Sequence, residues 1–238
     1  DFDIDWDLPE PVAIAEAADV EIVHVGSLGA ALEPGAGAVR AMLATVPSGT
    51  LRTYDPNIRP ALLGSRDAAV ARVEAIMAAS HVVKLSEEDA EWLYPGRSIE
   101  DVLARVLELK ARVAVVTRGG EGCITAIAGA GEPVARRAAA VTVVDTIGAG
   151  DAFMSGLVYG IASARLVPEL TADIVRLDPD DLRMLHQATE TALASAAIAV
   201  SRAGAAPPRA QELAQWATPG GDAVGLHSAL APTRARIG

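Results

Sequence analysis

The run Val141-Thr-Val-Val-Asp-Thr-Ile-Gly-Ala-Gly-Asp-Ala-Phe-Met-Ser-Gly156 sets the reading of the whole chain. An apolar, β-branched segment breaks at Asp145-Thr146, turns through Gly148-Ala149-Gly150 and enters a helical pattern at Asp151. A strand, a glycine turn and a helix start in that order make an anion-binding arrangement. The first N–H groups of a helix have no partner inside it, and the helix dipole favours negative charge there. Glycines let the backbone turn tightly and approach an anion with no Cβ in the way. Asp151 stands at the same helix start, where a carboxylate can take a proton from an attacking hydroxyl or simply cap the helix.

Working outward, strand and helix patterns alternate. Val20 to Val25 reads as a buried strand ending at Gly26-Ser27-Leu28-Gly29, and a helix is expected from Gly35 to Thr45. Thr50 to Tyr54 is the next strand, leading into Asp55-Pro-Asn-Ile-Arg-Pro60. Residues 66–79 carry Ala69, Val73, Ile76 and Met77 on one helical face. His81 to Leu85 is a short strand, followed by a helix whose N-cap is Ser86. Ser98 to Leu109 is amphipathic, and Arg112 to Thr117 is a buried strand that Gly119-Gly120 turns into a hairpin over 123–127 and 133–138. A helix is expected after the glycine turn to about Ala164, in which Gly156 and Gly160 would admit a close neighbour. Asp178-Pro-Asp-Asp181 then opens an alanine-rich helix to about Val200. This alternation predicts an α/β fold of three layers, α/β/α, around a mostly parallel sheet. Ligands in such sheets bind beyond the carboxyl ends of the strands, where Asp55, Lys84, Thr117 and Asp145 are expected.

Composition sets limits on function. The chain has 238 residues, 51% hydrophobic but only 3% aromatic, so Ala, Val and Leu must fill the core. A single cysteine, Cys123, excludes an intrachain disulfide and suits a reducing compartment. The acidic start Asp1-Phe-Asp-Ile-Asp-Trp-Asp7 has no basic n-region, and no apolar run approaches the ~20 residues of a membrane helix, so the expectation is a cytoplasmic protein without a membrane partner. A net charge of −11 with two lysines argues against nucleic acid. It does not argue against a nucleotide, whose phosphates can be met locally by backbone N–H groups and Mg²⁺. His24, His81, His186 and His227 lack metal-ligand spacing. There is no P-loop and no dinucleotide fingerprint.

Asp145-Thr-Ile-Gly-Ala-Gly-Asp151 matches, position for position, the Asp-Thr-x-Gly-Ala-Gly-Asp signature of the ribokinase-like (PfkB) sugar kinases. Gly26-Ser27-Leu28 and Asp55-Pro-Asn-Ile-Arg59 resemble its fructokinase-like and 2-keto-3-deoxygluconate kinase branches. Lys84-Leu-Ser-Glu87 stands in place of the family's Asn-x-x-Glu motif, and Thr117-Arg-Gly-Gly-Glu-Gly122 resembles its Thr-x-Gly-x-x-Gly segment. Ala199 to Ala205 resembles the family's carboxyl-terminal cation loop.

The resemblance implies an ATP-dependent sugar kinase with Asp151 as general base and Gly148, Ala149 and Gly150 as the anion hole. It places Lys84, Glu87, Thr117, Thr146, Gly119 and Gly122 at the nucleotide, Glu87 at Mg²⁺ through water, and Asp55 and Arg59 with Asp151 at the sugar. Asp145 and the carbonyls of Ile147, Ala199, Arg202 and Gly204 would hold a monovalent cation. Pro208 stands where ribokinase has a serine ligand, so K⁺ is left open. The same resemblance implies a kinase domain over residues 1–208, a tail over 209–238, and the absence here of the amino-terminal sugar-binding strands and lid. The expected partners are a sugar and ATP, with a homodimer left open.

Overall fold

The structure, a computed structural model, describes residues 20–33, 35–173 and 176–216. The strands are β1 (Ile22–Gly26), β2 (Leu51–Asp55), β3 (Val82–Ser86), β4 (Val113–Thr117), β5 (Cys123–Ile127) and β6 (Val134–Arg136). Between β1 and β4 lie the helices α1 (Ser27–Ala31), α2 (Gly35–Thr45), α3 (Arg66–Met77), α4 (Glu87–Leu93) and α5 (Ile99–Glu108). After β6 come α6 (Ala149–Ser163), α7 (Val167–Thr171), α8 (Pro179–Val200) and α9 (Ala210–Trp216). Helix α9 sets Leu213 against Ala194 and Ile198 of α8. Residues 1–19 and 217–238, including most of the expected tail, fall outside the described residues. None of the described helices is long and apolar enough to cross a membrane.

The six strands form one sheet in chain order. β1 to β4 are parallel, and β5 and β6 return antiparallel at one edge. Parallel neighbours need crossover helices of one hand, which puts successive crossovers on the same face. Accordingly Val83, Leu85, Ala114 and Val116 bury against Val73, Leu93 and Leu103 of α3, α4 and α5. The alternate residues Leu51, Val82, Val113 and Val115 bury against Phe153, Leu157 and Ile161 of α6 and Ala188 and Ala192 of α8. The three expected layers follow from this period of two.

The fit of α6 on α8 is close because two glycines make it so. A Cβ at Gly156 would lie 2.9 Å from the Ala192 Cα, and one at Gly160 would lie 2.7 Å from the Ala188 Cα. Helix α8 begins with a capping box, Asp178 accepting from the Asp181 amide and Asp181 from the Asp178 amide, with Pro179 in the first turn. That α6 is held rigidly fixes the direction in which its amino terminus points.

The strand expected over 141–144 is not formed. A strand needs a ladder partner, and the neighbour of this run is the end of α8. The amides of Val144 and Asp145 donate to the Val200 carbonyl at 2.7 and 3.2 Å. Val143 and Val144 remain 59% and 56% exposed, and Asp145 sits on an irregular segment rather than at a strand end.

Candidate active site

Because β1 to β4 are parallel, their carboxyl ends share one edge of the sheet, and α6 starts above it. The register Gly26↔Asp55 aligns β1 with β2, and Lys84↔Val115 and Ser86↔Thr117 align β3 with β4. Asp55 and Thr117 end β2 and β4 as expected, whereas Lys84 falls in the middle of β3, beside Asp55.

Gly148 adopts φ +75°, a left-handed conformation that glycine takes at little cost, and forms the N-cap of α6 without a side-chain acceptor. A Cβ there would come within 3.0 Å of the Ala205 Cβ, so the turn is also pressed against the 202–205 loop. With no side chain capping the helix, the amides of Gly150 and Asp151 have no acceptor within it and are open to an anion. Asp151 is exposed in this first turn.

Beneath the turn lies a buried ion pair. Lys84 Nζ donates to Asp55 Oδ2 at 2.9 Å, and each side chain is only 5% exposed. Burial raises the pKa of Asp55, and the Lys84 ammonium beside it pulls the other way. The second oxygen, Asp55 Oδ1, is buried without a partner. A Cβ on Gly150 would meet Lys84 Nζ at 3.1 Å, so the glycine leaves the space into which the ammonium rises. His24 on β1 keeps an exposed edge, yet the protein packed around the rest of its ring lowers its pKa. The Asp55 and Asp151 carboxylates act on it in the opposite direction. Its Nδ1 lies 2.9 Å from the Thr53 hydroxyl.

Asp145 ties two loops together. Its Oδ1 accepts the Ile147 amide at 3.0 Å and its Oδ2 accepts the Gly204 amide at 2.9 Å. These backbone hydrogen bonds, that of Ile147 foremost, hold its carboxyl below the usual range. The carbonyl of Ala199 accepts Arg202 N–H at 3.1 Å and that of Gly204 accepts Ala206 N–H at 2.9 Å. The residues named for a monovalent cation are thus joined by hydrogen bonds from the Asp145 loop to the end of α8. The Ala199 carbonyl also accepts the Ser201 amide, whereas the Gly204 carbonyl keeps a second lone pair.

A cavity of about 400 Å³ opens beside the turn. Its lining includes Thr117, Gly119, Gly122, Thr146, Ala149 and Gly150. Apolar side chains, among them Val141, Val143, Phe153, Leu193 and Val200, line it as well. Here the unpaired run at 141–144 acts as a wall, which reading it as a strand had hidden. Gly122 has φ +98°, and a Cβ on it would fall 1.9 Å from the Arg136 carbonyl, so no other residue fits at this corner.

The remaining candidates stand apart from the cavity. Glu87 is exposed and lies 3.4 Å from Arg118, which also pairs with Glu121. Arg59 is exposed, its guanidinium bonded to the Ile58 carbonyl. Among the described residues no three His, Cys, Asp or Glu side chains converge as a metal site. Mg²⁺ suits such a site when it arrives with phosphates, keeps most of its water and uses one carboxylate. Two residues were not singled out from the sequence. Asp89 accepts the Ile58 amide at 2.8 Å and completes a capping box with Ser86, fixing the 55–60 loop to α4. The Ser-x-x-Asp spacing was the available signal for the box, but its second bond is long-range. Arg118 could have been suspected only from its charge.

This fold is that of the α/β kinases, a mostly parallel sheet between two helix layers. Residues 3–212 match the family described as pfkB family carbohydrate kinase, and the chain belongs to that family. It is 30% identical over 174 residues to a fructokinase of Rhizobium leguminosarum bv. trifolii, covering 69% of this chain and 52% of that protein. It is 33% identical over 197 residues to Fructokinase-1 of Oryza sativa subsp. japonica, covering 78% and 54%. Among solved structures, the fructokinase of Vibrio cholerae O395 with fructose, ADP and calcium ion bound superposes with TM-score 0.62 and 28% identity, over 78% of this chain and 56% of that one. The chain therefore spans about half the length of these relatives.

Proposed function

We propose that this chain is the nucleotide-binding and catalytic part of an ATP-dependent sugar kinase, fructokinase-like in its acceptor. The carrying observation is the uncapped amino terminus of α6, with Asp151 in its first turn, next to a cavity lined by the glycines of both turns and by apolar side chains. ATP would lie with its base against the apolar lining side chains and its phosphates at the Gly119–Gly122 turn and Gly148–Gly150. Amides of the turn stabilise the charge that develops on the transferring phosphoryl group. Asp151 takes the proton of the sugar hydroxyl as its oxygen bonds to the γ-phosphorus and the bond to ADP breaks. Lys84, buried beneath Gly150, adds positive charge below that phosphoryl group, and Asp55 holds it there. Mg²⁺, if bound, would offset the charge of the phosphates, and Glu87 is the carboxylate that would hold it, through water. The Asp145–Gly204 tie supports the turn, with or without a monovalent cation such as K⁺ at the carbonyls.

The similarity to fructokinases supports fructose as acceptor. The exposed guanidinium of Arg59 supports a second reading, a keto-deoxy acid whose carboxylate that fork would pair. A coupled ADP-release assay on the full-length polypeptide, run across hexoses, pentoses, keto-deoxy acids and nucleosides, decides between them. Asp151→Ala is expected to lower kcat by about 10²–10⁴, the usual worth of a general base. Retained kcat in that variant removes Asp151 from the base role. Calorimetric binding of Mg·ATP with no turnover of any acceptor would instead mark a non-catalytic nucleotide-binding protein.

A further inference from the structure

At the opposite end of the sheet, three basic residues stand side by side on neighbouring strands. Arg52 is the second residue of β2, His81 immediately precedes β3, and Arg112 immediately precedes β4. The backbone locks them together: the His81 amide donates to the Arg52 carbonyl at 2.8 Å, and the Arg112 amide to the His81 carbonyl at 2.7 Å. His81 is 7% exposed.

The hydrogen bonds in this row do not balance. The Arg52 amide points at His81 Nδ1 at 3.1 Å, while Arg52 Nη2 lies 2.9 Å from His81 Nε2. A neutral imidazole offers one acceptor nitrogen, and an imidazolium offers none. In every protonation state at least one of these contacts therefore sets donor against donor. Nε of Arg52 and Nε of Arg112 are each buried without a partner. Arg112 spends one nitrogen on the Ala172 and Asp173 carbonyls, at 3.3 and 3.4 Å. Among the described residues neither arginine has a carboxylate within ion-pair distance. Like charges on adjacent strands repel. Among the described residues, then, this basic row has buried donors and no acidic side chain to accept from them.

We propose that the Arg52–His81–Arg112 row binds a small tetrahedral oxyanion, inorganic phosphate or the phosphate group of a phosphorylated metabolite. Such an anion supplies the acceptors that the row lacks. With His81 Nδ1 accepting the Arg52 amide, Nε2–H donates to the anion, and the two guanidinium groups donate from either side, as arginine forks do to phosphate. The site lies at the far end of the strands from the glycine turn, so it is independent of the kinase reading and stands or falls separately.

The test is a thermal and NMR titration of the chain with inorganic phosphate, against sodium chloride at equal ionic strength, with a hexose monophosphate as a second arm. Wild-type protein should show a saturable rise in Tm beyond the chloride control, together with a saturable shift of the His81 ring Cε1–H resonance. Equal affinity in the two arms assigns the site to free phosphate, and at least tenfold tighter monophosphate binding assigns it to a metabolite. His81→Asp places a carboxylate between the arginines while leaving the glycine turn intact. It should raise Tm without phosphate and abolish the phosphate response. Arg112→Gln is the second variant, expected to weaken phosphate binding at least tenfold. A wild-type response no larger than that to chloride overturns the proposal, as does a full phosphate response in His81→Asp or Arg112→Gln.

Discussion

Removing Asp55 while keeping Lys84 leaves an ammonium under the α6 turn with its counter-ion gone. Both side chains are 5% exposed, and Lys84 Nζ has its ion-pair contact with Asp55 at 2.9 Å. Breaking a buried pair from one side costs about 3–5 kcal/mol, because the surviving charge is stranded, whereas replacing both partners with apolar groups is often neutral or better. Asp55→Ala should therefore lose about 3–5 kcal/mol, a large share of the 5–15 kcal/mol typical of a domain. The double variant Asp55→Ala, Lys84→Met should recover most of that loss. Urea unfolding of the wild type, both single variants and the double variant gives the coupling energy, provided that the m-values agree. Disruption of the exposed pair Arg40–Glu33, with side chains 41% and 58% exposed, is the control and should leave the midpoint unchanged. If Asp55→Ala costs under about 1 kcal/mol, or the double variant loses as much as the two singles together, the pair is not the uncompensated buried unit argued here.

Two further outcomes follow from packing and from titration. Gly160→Val forces a side chain into the 2.7 Å space before the Ala188 backbone, so α6 and α8 must separate; overpacking of this kind costs about 1–3 kcal/mol or more. An unchanged urea midpoint would show that the two helices do not pack as described. Burial, with Arg52 and Arg112 adding to it, lowers the His81 pKa to about 4. Below about pH 6.5 the unfolded chain takes up a proton that the native state refuses. Stability should thus fall as pH drops from about 6.5 to about 4, and His81→Gln should flatten that part of the Tm-against-pH curve. An identical slope in wild type and variant would refute the assignment.

Much of the site was legible because it is local. The glycine turn, the helix after it and the capping serine before α4 are encoded within a few residues of themselves. The burial of β3 and β4 on both faces follows from their apolar residues, Lys84 alone interrupting them. The 141–144 run misled for a definite reason: β-branched residues favour extended backbone, but a strand exists only where another strand accepts its hydrogen bonds. Here the Val200 carbonyl took them instead.

What the sequence determined by itself was the alternation of elements, the three layers, and the glycine turn with Asp151 at its helix start. Only the tertiary structure decided that Lys84 lies sealed against Asp55 beneath that turn, that Asp145 laces it to Gly204, and that Arg52, His81 and Arg112 form one row. Local propensity and hydrophobic period act over a few residues. Pairing across 29 or 59 positions depends on which strands lie side by side and in what register, and that is settled only when the sheet assembles.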